Sequence, residues 1–230
     1  MDKQFVAIAI DGPSGAGKST IAKLLAKELA FVYVDTGALY RTVGLAALRA
    51  GVDPKDAPAV EALLPTVQVE LTYQDGTQKV LLNGEDVGDR IRTPEASMAA
   101  SAVSAIPEVR RFLFHVQQDM ALTHNVIMDG RDIGTVVLPD AQIKIFLSAT
   151  AEDRAQRRYE ELCQKGIATT YDEVLADMKQ RDYNDSHRAA APLRPAEDAV
   201  MIDTTGNTLE QSVELMKNLV KERLNGCCGK

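Results

Sequence analysis

Gly12-Pro13-Ser14-Gly15-Ala16-Gly17-Lys18-Ser19 fits the pattern G-x-x-x-x-G-K-[ST], and what flanks it decides the fold. Just before it runs Phe5-Val6-Ala7-Ile8-Ala9-Ile10, nearly all apolar, as expected of a central strand buried on both faces of a parallel sheet. Just after it, Ile21, Ala22, Leu24, Leu25 and Leu29 recur at helical spacing, with Lys23, Lys27 and Glu28 on the other side. Strand, glycine loop and helix in that order make a phosphate cradle. The glycines let successive backbone N–H groups turn around an anion, and the helix start adds positive potential. Lys18 carries a mobile charge to the β and γ phosphates, and Ser19 faces a Mg2+ ion. The expected nucleotide-binding residues are therefore Gly12, Pro13, Ser14, Gly15, Ala16, Gly17, Lys18, Ser19 and Thr20.

Outward from this loop, short apolar runs alternate with longer helical ones. Further buried strands are expected at Phe31–Val34, Asn125–Met128, Ile143–Leu147 and Ala199–Ile202, which with the first make a small doubly wound α/β core. Two stretches break the pattern. Val67–Tyr73 alternates apolar and polar residues, Thr77–Leu82 follows the turn Gln74-Asp75-Gly76, and Asn83-Gly84 precedes another short run, predicting an antiparallel insertion. Helices over Thr93–Ser104 and Pro107–Thr123 follow it, each entered through a proline. From Thr150 to about Pro195 run two charged helical segments separated by Lys165-Gly166-Ile167, with no strand of their own, the pattern of a lid. The tail from Asn225 to Lys230 is expected to fray.

Composition removes several classes of function. The formal net charge of −7 has the wrong sign for a protein that neutralises many nucleic-acid phosphates. No segment is apolar enough over sufficient length to span a bilayer, and the N-terminus lacks a signal pattern, predicting a cytoplasmic protein. Cys163, Cys227 and Cys228 have neither a metal-ligand spacing nor a disulfide framework. A GTPase would carry a guanine-reading N-K-x-D, which this chain lacks; its suggestive D-x-x-G, Asp203–Gly206, follows the last strand and reads as a loop.

The acceptor side is marked by charge at the carboxyl edge of the sheet. Asp129-Gly130-Arg131-Asp132 follows the strand at Asn125–Met128, and Asp129 is placed to hold the metal as partner of the loop hydroxyl. Asp35-Thr36-Gly37-Ala38-Leu39-Tyr40-Arg41 follows the second strand and puts Arg41 on the first turns of a helix, where an anion would meet it. In the lid segment, Arg154, Arg157 and Arg158 share one helical face, and Arg181, Asp185 and Arg188 share another by their three and four spacings. In an acidic chain such clustering suggests neutralisation of a highly charged transition state. The alternative is solvated lid charges paired with Asp153, Glu160, Glu161 and Asp182.

These motifs, from Ile10–Lys18 through Asp35–Arg41 and Asp129–Val137 to Arg181, Asp182 and Asp185, resemble the bacterial cytidylate kinases, nucleoside monophosphate kinases that act on CMP. The resemblance spans nearly the whole chain. It implies a P-loop core over residues 1–38, 124–150 and 196–230, an NMP-binding domain with the antiparallel insertion over 39–123, and a lid over 151–195. It implies phosphorylation of CMP and dCMP by ATP with Mg2+, by a monomer. Arg41, Arg131 and Arg188 would grip the acceptor phosphate, and Thr36 and Tyr40 would also bind CMP. Ser101, Arg110 and Asp132 would read the cytosine, and Arg181 and Asp185 would hold the ribose. Lys18, Arg131, Arg188 and the lid arginines would be catalytic, with Thr20 an alternative to Ser19 at the metal. Cytosine pairs an amine donor with a ring acceptor, so a carboxylate beside Arg and Ser groups is complementary, whereas uracil reverses two of those groups. His115, His124 and His187 receive no role, because an acceptor phosphate already anionic needs no general base. Two rivals stay open: a P-loop kinase for another small acceptor, and an ATP-dependent switch that phosphorylates nothing.

Overall fold

The computed structural model describes residues 5–74 and 77–227; Asp75, Gly76 and Cys228 lie outside the described residues. The chain divides into two compact units, one of residues 6–31 with 127–230 and one containing residues 32–126. The larger sheet is parallel and five-stranded, formed by β1 (Ala7–Asp11), β2 (Val32–Asp35), β6 (Val126–Gly130), β7 (Ile143–Ser148) and β8 (Val200–Asp203) in the order β2-β6-β1-β7-β8. Each expected strand is present within about two residues of its predicted bounds. All of β1 and β6 is buried, which explains why both read as unbroken apolar runs. The chain leaves β1 toward β2 on one side of the sheet and passes from β6 to β7 on the other. β1 therefore ends at the point where the winding reverses, which is where open α/β sheets bind their ligands.

In the unit of residues 6–31 and 127–230, α1 (Lys18–Leu29) follows the glycine loop, and α8 (Leu209–Cys227) lies against it. Glu28 of α1 pairs with Lys217 at 2.6 Å and Lys221 at 3.0 Å. Helix α8 includes Asn225 to Cys227 of the tail expected to fray; the rest of that tail, residues 228–230, lies outside the described residues. The charged segment after Thr150 forms two helices, α6 (Ala151–Gln164) and α7 (Tyr171–His187), as its pattern predicted. Thr150 caps α6 through the Asp153 amide, and Thr170 with Glu173 makes a reciprocal capping box on α7. The two helices bury a small core of their own from Ala155, Leu162, Val174 and Met178. Residues 133–137 form a wide turn, with the Leu138 amide donating to the Ile133 carbonyl at 2.7 Å, that the sequence did not announce.

In the other unit, β3 (Val69–Gln74), β4 (Thr77–Leu82) and β5 (Glu85–Asp86) form the predicted antiparallel sheet, with Val69 opposite Leu82 and Leu71 opposite Val80. Helix α2 (Thr36–Arg49) starts on Asp35, whose carboxylate accepts the Ala38 amide at 3.0 Å. It packs on α4 (Pro94–Val103) at Gly44, where a Cβ would lie 2.9 Å from that of Ala99, so this contact holds only because the residue has no side chain. Helices α3 (Ala57–Leu63) and α5 (Pro107–Thr123) complete the unit, and Leu39, Val43, Val60, Val80, Leu82, Val103 and Leu113 form its core. Pro94 and Pro107 sit in the first turns of α4 and α5, where a missing N–H costs nothing.

Candidate active site

The phosphate loop is held from below by packing that admits no side chain at its first glycine. Gly12 has φ +148°, and a Cβ there would stand 1.9 Å from the Leu147 carbonyl oxygen of β7. Gly17 caps α1 with φ 87° and no side-chain hydrogen bond, which leaves the helix's first amides to face an anion. Lys18 is buried, and its Nζ donates to the Pro13 carbonyl at 2.6 Å. Burial, and next the positive charge of Arg131, hold this ammonium well below the usual lysine range, against the pull of Asp129, Asp11 and Asp185. A buried ammonium repelled by a second cation suits an anionic ligand. Ser19 Oγ donates to Asp129 Oδ2 at 2.8 Å, so the loop hydroxyl and the carboxylate at the end of β6 meet as predicted.

Asp11, the last residue of β1, lies in the run Ile10–Lys18, where its residue type alone points to no role. Its buried carboxylate accepts the Ile133 amide at 2.8 Å and the Gly134 amide at 2.7 Å, and so fixes the turn that carries Arg131 and Asp132. Desolvation raises its pKa from 3.8 to about 6, the two amide bonds offsetting part of the rise. The folded carboxyl thus holds its proton more tightly than the unfolded one. Asp11 therefore lowers stability as pH rises from 3.8 to about 6, after which its contribution levels off. At about 1.4 kcal/mol per unit this amounts to about 3 kcal/mol. Urea unfolding of wild type and Asp11→Asn should show the stability difference moving in the variant's favour between pH 4 and pH 6.5, to about that extent. A difference independent of pH would contradict this account of Asp11.

Beyond the loop, carboxylates orient the predicted acceptor-side arginines. Arg131 Nε donates to Asp185 Oδ2 at 2.8 Å. Burial would raise the Asp185 pKa, but Arg131, with Arg181 and Arg188, holds it below the ordinary value. Arg188 donates from Nη2 to Asp132 Oδ1 at 3.2 Å and from Nε to the Ala191 carbonyl at 2.7 Å, with Arg188 and Asp132 side chains each 6% exposed. The spacing of Arg181 and Asp185 on one helical face announced part of this cluster, but Arg188, expected on the same face, is extended just past the end of α7, and its pair with Asp132 joins residues 56 positions apart.

The three arginines of α6 are paired largely with the carboxylates that the alternative of solvated, paired charges named. Arg157 pairs with Asp153 and donates to the Thr204 carbonyl at 2.7 Å, and Arg158 pairs with Glu161 at 2.7 Å. Arg154 pairs with Asp182 at 2.5 Å, yet it is buried, where that reading expected a solvated charge. The unit of residues 32–126 carries the remaining predicted residues. Arg41 donates to Asp35 Oδ2 at 2.9 Å, and its Nε is buried without a hydrogen-bond partner. Thr36 is buried at the start of α2, and the Arg110 guanidinium lies 5.5 Å from the centre of the Tyr40 ring. Ser101 lies on α4, its carbonyl accepting the Ser104 hydroxyl at 2.9 Å. His115, His124 and His187 are exposed. Cys163 is exposed as well, and Cys228 of the Cys227–Cys228 pair lies outside the described residues. No helix among the described residues is long and apolar enough to cross a membrane.

A parallel sheet that reverses at β1, a glycine loop leading into α1, and a buried lysine beside a hydroxyl–carboxylate pair define a P-loop phosphotransferase. Comparison with known proteins narrows the class. The family model for cytidylate kinase matches residues 8–222. The cytidylate kinase of Syntrophotalea carbinolica is 50% identical over 227 residues, covering 99% of this chain and 96% of that protein. Those of Caldicellulosiruptor saccharolyticus and Pasteurella multocida are 52% and 46% identical, over 92% and 96% of this chain and 94% and 97% of theirs. The chain belongs to the cytidylate kinase family.

Proposed function

We propose that this chain transfers the γ-phosphoryl group of ATP to the phosphate of CMP or dCMP, giving ADP and CDP or dCDP. The observation that carries the reading is geometric: buried Lys18, held on the Pro13 carbonyl at 2.6 Å, stands next to a loop hydroxyl, that of Ser19, which meets Asp129 Oδ2 at 2.8 Å. The bond from the γ phosphorus to its bridging oxygen breaks as an acceptor phosphate oxygen bonds to that phosphorus, and ADP leaves. Charge spreads over the transferring oxygens, so alignment and electrostatics matter more than a base. Lys18 and the loop amides hold the donor phosphates. Arg41, Arg131 and Arg188 grip the acceptor phosphate, and Thr36 and Tyr40 contribute to CMP binding. Ser101, Arg110 and Asp132 read cytosine, Arg181 and Asp185 hold the ribose, and Arg157 and Arg158 are left to meet the transferring group. Residues 39–123 serve as the monophosphate-binding part and 151–195 as the lid, in a cytoplasmic monomer.

The hydroxyl of Ser19 and the carboxylate of Asp129 are hard oxygen donors within 2.8 Å of each other, a set that suits Mg2+. Mg2+ commonly takes one or two protein oxygens and completes its shell from substrate phosphates and water, so two such donors would suffice. Bound there, Mg2+ would neutralise charge on the donor phosphates. A magnesium titration of CMP-dependent turnover tests the assignment. Ser19→Ala and Asp129→Asn should raise the half-saturating Mg2+ concentration about tenfold or more, and Thr20→Ala should not. The reverse order would assign the metal to Thr20.

A further inference from the structure

The segment expected to supply a mobile arginine has one that is buried. Arg154 on α6 is 3% exposed, and four hydrogen bonds occupy its guanidinium. Nε donates to the Ala149 carbonyl at 2.9 Å, Nη1 to the Ser14 carbonyl at 2.9 Å and to Asp182 Oδ1 at 3.2 Å, and Nη2 to Asp182 Oδ2 at 2.5 Å. The carboxylate of Asp182 on α7 thus grips the guanidinium with both oxygens, the strong and geometrically specific form of this pair. Ser14 belongs to the phosphate loop. The next residue, Gly15, packs directly on the same two helices: a Cβ there would lie 2.9 Å from Met178 Cε and 3.3 Å from Arg154 Cβ.

A trans peptide points its carbonyl and its following N–H in opposite directions. By drawing the Ser14 carbonyl toward α6, Arg154 turns the Gly15 N–H away from α6. Glycine loops bind phosphate through inward-facing amides of this kind, and in such a loop a peptide free to flip would present oxygen to an anion. An arginine that abandoned these contacts for a transferring phosphoryl group would leave Asp182 unpaired and the Ser14 carbonyl unheld.

We infer that Arg154, held by Asp182, is a positioning residue that sets the Ser14–Gly15 peptide for ATP, and does not contact the transferring group. The inference rests on the kinase reading of this loop, but it makes a claim about ATP binding that needs no acceptor. Its test is equilibrium titration of ATP with Mg2+ in the absence of any monophosphate, alongside thermal melting and steady-state KM values, for wild type, Arg154→Met, Asp182→Asn and the double variant Arg154→Met/Asp182→Leu. Loss of a charge-assisted hydrogen bond predicts that Arg154→Met weakens ATP binding about 10- to 100-fold, with the CMP KM little changed. Asp182→Asn keeps one acceptor and should show a smaller shift in the same direction.

The double variant separates positioning from stability. Replacing both members of a buried pair with apolar side chains commonly restores stability, so its Tm should return toward wild type while ATP binding stays weak. ATP affinity that recovers together with Tm would reduce the contact to a structural one and overturn the inference. So would Arg154→Met with unchanged ATP affinity and kcat lowered about 10³-fold, the result for a transition-state contact. Wild type that binds ATP but ignores CMP would overturn the kinase reading instead, and the titrations would still decide the role of Arg154.

Discussion

Alanine at Lys18 should abolish CMP-dependent ADP formation, lowering kcat/KM about 10³-fold or more, while the protein stays folded. The reason lies in what this ammonium endures in the free protein. It is buried, repelled by Arg131, and held through one neutral carbonyl, that of Pro13. Its charge is disfavoured in the folded state and not in the unfolded one, so at neutral pH Lys18 costs stability until phosphates arrive. Lys18→Met, which removes the charge and keeps the stem, should therefore raise the Tm of the unliganded protein while also losing turnover. Opposite movement of stability and activity is expected where a site is strained for its ligand. Unimpaired turnover in either variant would remove Lys18 from the mechanism.

The second large effect concerns the choice of base. Asparagine at Asp132 keeps the shape of the carboxylate but offers a donor where there were only acceptors. A cytosine amine would lose its charged acceptor, and a uracil carbonyl would gain a partner. Sites built on such buried hydrogen bonds can discriminate by about 10⁴ or more, so the CMP to UMP ratio of kcat/KM should fall by at least about 30-fold in Asp132→Asn. Arg188 donates to Asp132 and to the Ala191 carbonyl, so part of its orientation survives the change. A Tm drop with an unchanged ratio would leave Asp132 as the structural partner of Arg188 alone.

The fold was legible where burial writes itself into composition. β1, β6 and β7 are almost wholly buried and so appear as continuous apolar runs, and the glycine loop needs specific residues at fixed spacing. Helix α8 was missed because its buried positions, Ser212, Met216 and Val220, form a narrow stripe among charges, one of them a serine. The turn at 133–137 was missed for a different reason. It is held by Asp11 through backbone amides 122 and 123 residues away, and backbone groups have no sequence signature. The site divides in the same way. The spacings placed Lys18 and Ser19 in the glycine loop, Asp129 at the end of β6, and Arg181 with Asp185 on one face of α7, while Arg188 lies just past that helix. They could not reveal that Arg154 turns inward to Asp182, 28 residues on, because helical periodicity gives the face of a helix and not what lies against it.

The most direct test of the central claim is the initial rate of ADP production from ATP and Mg2+ with CMP, dCMP, UMP, AMP, GMP and dTMP supplied separately, against a control without acceptor. Strong stimulation by CMP and dCMP, with a weak response to UMP, is the predicted result. A rate that is the same with every acceptor as with none would contradict it.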